Sequence, residues 1–194
     1  MRTLVVIEFL SLDGVMQAPG SPEEDTEGGF RHGGWQRPYF DEVLGASAAE
    51  GMATTDAYLF GRKTYQSMAS YWPTAPADDP FAAHLNSTAK YVASTTLTEL
   101  TWQNSTLIDG DVARRVADLK EQPGQSIAVL GSGDLVQTLI RSDLVDVYSL
   151  TVSPIVLGTG KRLFRGFDEV RRLRLVDNRT TTTGSVLLTY RPAR

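Results

Sequence analysis

One short stretch of this chain combines residue types and spacing that suit the binding of an anion. An apolar run is followed by a glycine turn and then by apolar residues at helical spacing, which predicts a buried strand, a tight turn and a helix over 126–138. Glycine lets the backbone approach a phosphate closely, and the N–H groups at a helix start face it. The turn and first helical residues are Gly131, Ser132, Gly133, Asp134 and Leu135.

The same glycines have a plainer explanation, because any strand-to-helix turn uses them. Position 136 is Val, so the GxGxxG fingerprint of standard dinucleotide-binding folds is absent. The stretch by itself therefore leaves phosphate binding and a purely structural turn open.

A second junction of the same kind carries positive charge. Gly61, Arg62, Lys63 and Thr64 follow a short apolar strand predicted over 57–60 and open another helical pattern. Cations at a helix N-terminus oppose the helix dipole, and an anionic ligand would offset that cost. Simple surface charge is the alternative, but the arrangement favours phosphate binding.

A third candidate loop begins at Ser94 and Thr95, directly after a strand predicted over 90–93. Ligands on mostly parallel sheets bind at the carboxyl ends of strands, which is where all three loops are predicted to lie. Their convergence predicts a nucleotide site more strongly than any one loop does.

The elements that position these loops alternate between strand and helix for most of the chain. Two last strands, predicted over 174–179 and 185–191, are expected to pair antiparallel. We therefore predict a three-layer α/β fold, with a mostly parallel central sheet and an antiparallel C-terminal edge. With no internal repeat and no interdomain linker, residues 1–194 are expected to form a single domain.

The N-terminal part of the chain combines a strand with a long acidic loop. Residues 3–9 are predicted as a central strand, in which Glu8 is either a carboxylate near solvent or a polar group facing a ligand. A glycine-rich loop runs to Gly34, and the aromatic residues at its far end fit either a packed lid or ordinary core. A helix is predicted from Pro38 or Tyr39 to Ala53, and Asp41 suits its first turn.

Composition excludes several classes of protein. The chain has 194 residues, a net charge of −4, no cysteine and two histidines, so thiol chemistry is excluded and neither a metal site nor broad nucleic-acid binding is expected. No apolar run is long enough for a membrane span, and the N-terminus does not resemble a signal peptide. We expect a cytoplasmic enzyme or binding protein.

The motifs together resemble the dihydrofolate reductase superfamily, and most closely the branch that contains the reductase domain of bacterial riboflavin biosynthesis. The resemblance spans nearly the whole chain. It is carried by SLDGVMQAPG (11–20), GGWQRPYFDE (33–42), LFGRKTYQSM (59–68), VASTT (92–96), and the block from AVLGSGDLVQTL to SPIVLGTGKRLF.

The resemblance implies NADPH as cofactor, bound without GxGxxG. By this resemblance Arg62, Lys63 and Thr64, next to Gly61, contact cofactor phosphate, and Ser94 and Thr95 lie near the 2′-phosphate and adenosine. The stretch from Gly131 to Leu135 holds the pyrophosphate and nicotinamide. A mobile loop that closes over the nicotinamide matches Asp13, Gly14 and Val15.

On the substrate side, the resemblance implies that Trp35 flanks the substrate and that Thr151 supplies a strand hydroxyl facing it. Folate reductases carry an acid on the first helix, and Asp41 is the candidate for that position.

The implied function is that of an NADPH-dependent oxidoreductase acting on CH–OH or CH–NH groups. It would resemble 5-amino-6-(5-phosphoribosylamino)uracil reductase or dihydrofolate reductase, and would deliver hydride to a pyrimidine- or pterin-like molecule. The alternative is a non-catalytic protein that retains the fold and binds NADPH or another ligand. A homodimer is expected, because apolar residues are concentrated at 150–157. The late strands and the Ser153–Lys161 loop are expected to help build its interface.

Overall fold

A computed structural model describes residues 1–76 and 78–193 and contains one eight-stranded sheet. In chain order, the strands are β1 (Thr3–Ser11), β2 (Thr55–Gly61), β3 (Ala89–Ala93), β4 (Ser105–Ile108), β5 (Ser126–Leu130), β6 (Val147–Ser153), β7 (Leu173–Thr180) and β8 (Val186–Pro192). Their order across the sheet is β4-β3-β2-β5-β1-β6-β8-β7.

The strand pairings confirm the predicted sheet. β2 pairs parallel with β3 and with β5, and β3 pairs parallel with β4. β8 pairs antiparallel with both β6 and β7. The mostly parallel sheet with an antiparallel C-terminal edge is therefore present as the sequence predicted.

The α-helices are α1 (Glu42–Thr54), α2 (Arg62–Tyr71), α3 (Pro80–Ser87), α4 (Val112–Glu121) and α5 (Gly133–Arg141). Short 3-10 turns cover Glu27–Gly29, Arg37–Tyr39 and Trp72–Thr74. Within the described residues, no helix has the length and apolar character that crossing a membrane requires. The same residues contain no group of three or more acidic or histidine side chains arranged to hold a metal.

The backbone separates into two compact units, of which the first comprises Met1–Val5 and Ala49–Val145. Here β2 is buried between parallel neighbours, and Phe60 stacks on Trp102. Lys90 is fully buried, and its ammonium donates to the carbonyls of Leu85 and Thr88, which satisfies the charge inside the core. The expectation of a single domain stays a prediction.

The second unit comprises Val6–Ala48 and Asp146–Arg194. It contains the antiparallel strands β6, β8 and β7 and the long loop that follows β1. A buried apolar cluster organises that loop, formed by Val15, Ala18, Phe30 and Trp35. The ordinary-core alternative for these two aromatic residues is therefore the one that the structure supports.

The first helix begins later than predicted. Residues 37–39 form a 3-10 turn, and α1 starts at Glu42 after Asp41. Phe40 is exposed, and Leu44 is the buried residue of the helix. The proline at position 38 is accommodated in the tighter turn, since proline at the start of a helical segment needs no N–H partner.

Candidate functional site

Two of the predicted phosphate turns are joined directly in the first unit. The backbone N–H of Gly61 donates to Ser132 Oγ at 2.9 Å, and the N–H of Ser132 donates to Thr64 Oγ1 at 3.0 Å. Gly131 and Ser132 both adopt the left-handed conformation, with φ of 56° and 62°. These reciprocal hydrogen bonds hold a strained serine in place, and they bring the starts of α2 and α5 together.

The starts of α2 and α5 differ from those of the other helices in how their N–H groups are satisfied. Asp41, Asp79 and Asp111 accept first-turn N–H groups of α1, α3 and α4 through their carboxylates. In contrast, the residues preceding α2 and α5 make no side-chain cap hydrogen bond. First-turn N–H groups have no acceptor inside their own helix. The two joined helix starts are therefore suited to accept oxygens from an anion.

Side chains around these starts add positive charge. Arg62 is partly exposed, with its guanidinium donating to Gln66 at 3.1 Å, and Lys63 is exposed on the same first turn. Asp134, in the first turn of α5, is exposed. Leu135, the residue after Asp134, is buried.

The third predicted loop lies at the same sheet edge, because Gly61 at the end of β2 is the registered partner of Ala93 at the end of β3. Ser94 is buried, and its hydroxyl accepts the N–H groups of Thr96 and Leu97 at 3.1 and 3.0 Å. Its side chain thus shapes the loop. The neighbouring Thr95 is exposed and is the better placed of the two for a ligand contact.

In the predicted nicotinamide loop, the side chains of Asp13 and Val15 contact other residues of the protein. The Asp13 carboxylate accepts from the Ser11 hydroxyl at 2.7 Å and from the N–H groups of Leu157 and Gly158 at 3.0 and 2.9 Å. Val15 is fully buried in the apolar cluster. Gly14 has a φ of 80°, which suits the turn between them. For Asp13 and Val15, the structure does not support a cofactor contact through the side chain.

The loop from 17 to 34 is extensively hydrogen-bonded. Gln17 donates to the carbonyls of Asp25 and Glu27, and it accepts from the N–H of Lys161. The Lys161 ammonium forms ion pairs with the carboxylates of Asp25 and Glu27. A cavity of about 520 Å³ adjoins this loop, and Gly28, Phe30 and Arg165 are among its lining residues.

The two predicted substrate residues differ in what surrounds them. The indole N–H of Trp35 donates to the carbonyl of Gln17 at 2.8 Å, and its ring is buried in the apolar cluster. A substrate contact by Trp35 is therefore not supported. Thr151 is buried on β6, opposite Leu187 of β8. Its predicted role stays a prediction.

The carboxylate of Asp41, the predicted catalytic acid, accepts hydrogen bonds from other residues of the protein. One carboxylate oxygen accepts the N–H of Leu44 at 3.0 Å, and the other accepts the N–H and hydroxyl of Thr182 at 2.6 and 2.7 Å. The Thr182 hydroxyl above all lowers the pKa of Asp41. A group that holds its charge this firmly is a poor proton donor, so the helix-start interpretation of Asp41 is the one that the contacts favour.

Glu8 is the residue whose environment the sequence did not predict. Of the two alternatives for Glu8, the carboxylate near solvent is wrong: Glu8 is 4% exposed and lies on the same face of β1 as buried Leu4 and Val6. The other alternative, a polar group facing a ligand, stays a prediction. Its Oε1 has no hydrogen-bond partner in the described structure. The sequence signal was a charge inside an otherwise apolar strand.

Comparison with known proteins agrees with the architecture. The family model described as the RibD C-terminal domain matches residues 2–188. Protein YyaP of Bacillus subtilis (strain 168), itself uncharacterized, is 34% identical over 140 residues, which cover 70% of this chain and 73% of that protein.

Solved structures extend the likeness to the whole fold. A pyrimidine reductase-like protein from Corynebacterium diphtheriae superposes with a TM-score of 0.66 at 13% identity, covering 100% of this chain and 92% of that one. Dihydrofolate reductase from Enterococcus faecalis, complexed with NADP(H), gives 0.61 at 14% identity, with 99% and 97% covered. These values confirm the dihydrofolate reductase-like fold. Because the family model spans nearly all of the sequence, this chain belongs to the RibD C-terminal domain family.

Proposed function

We propose that this protein is an NADPH-dependent reductase that delivers hydride to a pyrimidine- or pterin-like small molecule. The observation that carries the proposal is the pair of joined, uncapped helix starts in the first unit, next to Arg62 and Lys63. Membership in the RibD C-terminal domain family supports it, as do structural neighbours named as pyrimidine reductase-like and as dihydrofolate reductase.

The donors at this place fit the phosphates of a dinucleotide. The N–H groups of Gly61 and Ser132 are used to join the turns, so the following N–H groups of α2 and α5 are those that would bind the pyrophosphate. Arg62 and Lys63 would hold the additional 2′-phosphate, with Thr95 beside the adenosine end. When bound, NADPH supplies the hydride, and the residues of this chain supply orientation and proton delivery.

A non-catalytic protein that binds NADPH or another ligand remains the second candidate. The observation in its favour is that the carboxylate of Asp41, the predicted proton donor, accepts the N–H groups of Leu44 and Thr182, which suits a structural residue. Mixing the protein with NADPH and either dihydrofolate or 5-amino-6-(5-phosphoribosylamino)uracil separates the two. Loss of reduced-nicotinamide absorbance supports a reductase, and binding without oxidation supports the second candidate.

Arg62→Ala is expected to weaken NADPH binding by about tenfold or more while changing NADH binding little. A charge-assisted hydrogen bond contributes about 1.5–3 kcal/mol, and only NADPH carries the phosphate that Arg62 would contact. Titration calorimetry with both cofactors measures the difference. Arg115→Ala, on the exposed face of α4, is the control for loss of a surface cation. Equal losses for both cofactors would exclude recognition of the 2′-phosphate by Arg62.

We also propose a homodimer that uses the C-terminal part of the second unit. β7 is the last strand of the sheet order, and its Leu175 and Val176 are exposed. Val156, in the loop after β6, is also exposed. An exposed apolar edge strand is a liability that a second copy would cover. Light scattering at micromolar concentration should give twice the chain mass, and Val176→Lys should shift the protein toward monomer. A monomeric mass for the unaltered protein would refute the dimer.

A further inference from the structure

Glu8 lies where an unpaired acid is costly. β1 is otherwise apolar or neutral, and Glu8 shares its buried face with Leu4, Val6 and Leu10. The buried Oε1 receives no hydrogen bond in the part of the chain that the structure describes. Leaving a buried polar atom without a partner costs about 1–3 kcal/mol. Among the described acidic side chains of the second unit, Glu8 alone has such an atom, and this points to a partner that arrives with a ligand.

A second carboxylate, that of Glu24 in the long loop after β1, affects the ionisation of Glu8. Glu24 accepts the N–H groups of Gly20 and Ser21 at 2.7 and 3.2 Å, which fixes its side chain while leaving it accessible to solvent. Its negative charge contributes to raising the pKa of Glu8. The neighbouring Asp25 is paired with Lys161. The loop thus carries a solvent-accessible carboxylate whose charge disfavours ionisation of buried Glu8.

We propose that the Glu8 carboxyl hydrogen-bonds the substrate and protonates its nitrogen, the role that the sequence resemblance had given to Asp41. This inference rests on the proposed reductase function. The substrate class is a heterocycle with a C=N bond, or a ribosylamine that opens to one, because such a nitrogen both accepts a hydrogen bond and needs a proton on reduction.

The environment of Glu8 suits this role, and that of Asp41 does not. Burial, with the charge of Glu24 adding to it, raises the pKa of Glu8 well above the usual 4.5. A neutral carboxyl presents one O–H donor and one carbonyl acceptor to a ligand. Asp41, by contrast, has a lowered pKa and accepts three hydrogen bonds from Leu44 and Thr182.

The step balances with NADPH as the named reductant. The substrate carbon of the C=N bond gains the hydride, which brings both electrons, and the π pair of that bond moves to nitrogen. The nitrogen forms its N–H bond with the Glu8 proton as the O–H bond breaks. The products are the amine, NADP⁺ and the Glu8 carboxylate, which regains a proton from solvent before the next turnover.

The first test measures the state of Glu8 without turnover. Stability that depends on a neutral Glu8 is present below the ordinary glutamate pKa and is lost as pH rises through the raised value, so unfolding measured as the pH rises above the usual glutamate range should show this loss. Glu8→Gln should abolish that part of the pH dependence, whereas Glu23→Gln, an exposed neighbour of Glu24, should retain it. The same pH dependence in all three proteins would overturn the proposal.

The second test asks whether the carboxyl meets the substrate. Infrared difference spectra on adding dihydrofolate or 5-amino-6-(5-phosphoribosylamino)uracil should shift a protonated-carboxyl band that is absent from Glu8→Gln. If neither compound shifts such a band, Glu8 does not contact the substrate and the proposal fails.

The third test separates this inference from the proposed function. In single-turnover oxidation of bound NADPH, Glu8→Gln should lower the rate by about 100-fold or more, with NADPH affinity within about twofold of the unaltered protein. Asp41→Asn and Glu23→Gln should keep the full rate. No NADPH oxidation by the unaltered protein would refute the reductase function, whereas full rates in Glu8→Gln would refute only the role of Glu8.

Discussion

Replacing Gly131 with Val is expected to lower the affinity for NADPH by about 100-fold or more, the largest effect on binding that the site predicts. Gly131 has a φ of 56°, a region that β-branched residues adopt only under strain. A Cβ there would lie 3.3 Å from the side chain of Thr64. Thr64 accepts the N–H of Ser132, so displacing it separates the two helix starts.

The size of this effect follows from the hydrogen bonds to phosphate that the substitution would break at the same time. Two charge-assisted hydrogen bonds from helix starts to phosphate, at about 1.5 kcal/mol each or more, correspond to a factor of about 100 in affinity. Titration calorimetry with NADPH gives the affinity, and circular dichroism checks that the variant is folded. Gly51→Ala, at an open position on α1, is the control for adding a Cβ to a glycine. Unaltered NADPH affinity in a folded Gly131→Val protein would make the turn purely structural.

Gly133 offers an independent comparison at the same turn. It is the first residue of α5, where helical backbone suits any residue, unlike the left-handed position of Gly131. A strain argument therefore applies to Gly131 alone. For Gly133, close approach of the proposed cofactor stays a prediction.

The positions of the three candidate phosphate loops in the fold were predictable from the sequence because their signals are local. A strand, a glycine turn and a helical pattern follow one another within about a dozen residues, and the register of β2 with β3 then aligns their ends. The antiparallel C-terminal pair was predictable for the same reason, since β7 and β8 are separated by a short turn.

The environments of Asp13, Trp35 and Glu8 depend on contacts that the sequence pattern does not contain. Asp13 binds N–H groups of Leu157 and Gly158, far along the chain. Trp35 is buried by a loop whose glycines and acids suggested mobility. A charge in a strand is ordinarily near solvent, and the burial of Glu8 depends on what covers β1. For the site residues that the resemblance placed in the second unit, the surroundings are therefore what the sequence pattern predicts least.

Replacing Asp13 with Ala is expected to lower the melting temperature by about 4–8 °C, the largest effect on stability among these predictions. The substitution leaves the Ser11 hydroxyl and two backbone N–H groups without their acceptor, at a cost of about 2 kcal/mol in the free energy of unfolding. Arg162, which donates to the Asp13 backbone carbonyl at 3.0 Å, keeps that contact. Asp109→Ala, at an exposed position, is the control and should change stability little.

The pH dependence of this effect tests its cause. The Ser11 hydroxyl above all, together with the Leu157 and Gly158 N–H groups, lowers the pKa of Asp13 from 3.8 to about 2. Because the folded value lies below the unfolded one, the contribution to stability is complete well above pH 3.8 and is lost as pH falls through about 2. The difference in melting temperature between the two proteins should therefore shrink below about pH 4. Calorimetric NADPH affinity should stay within about threefold of the unaltered value, since no phosphate contact is removed. A large loss of NADPH affinity with an unchanged melting temperature would instead restore Asp13 to the nicotinamide role that the sequence implied.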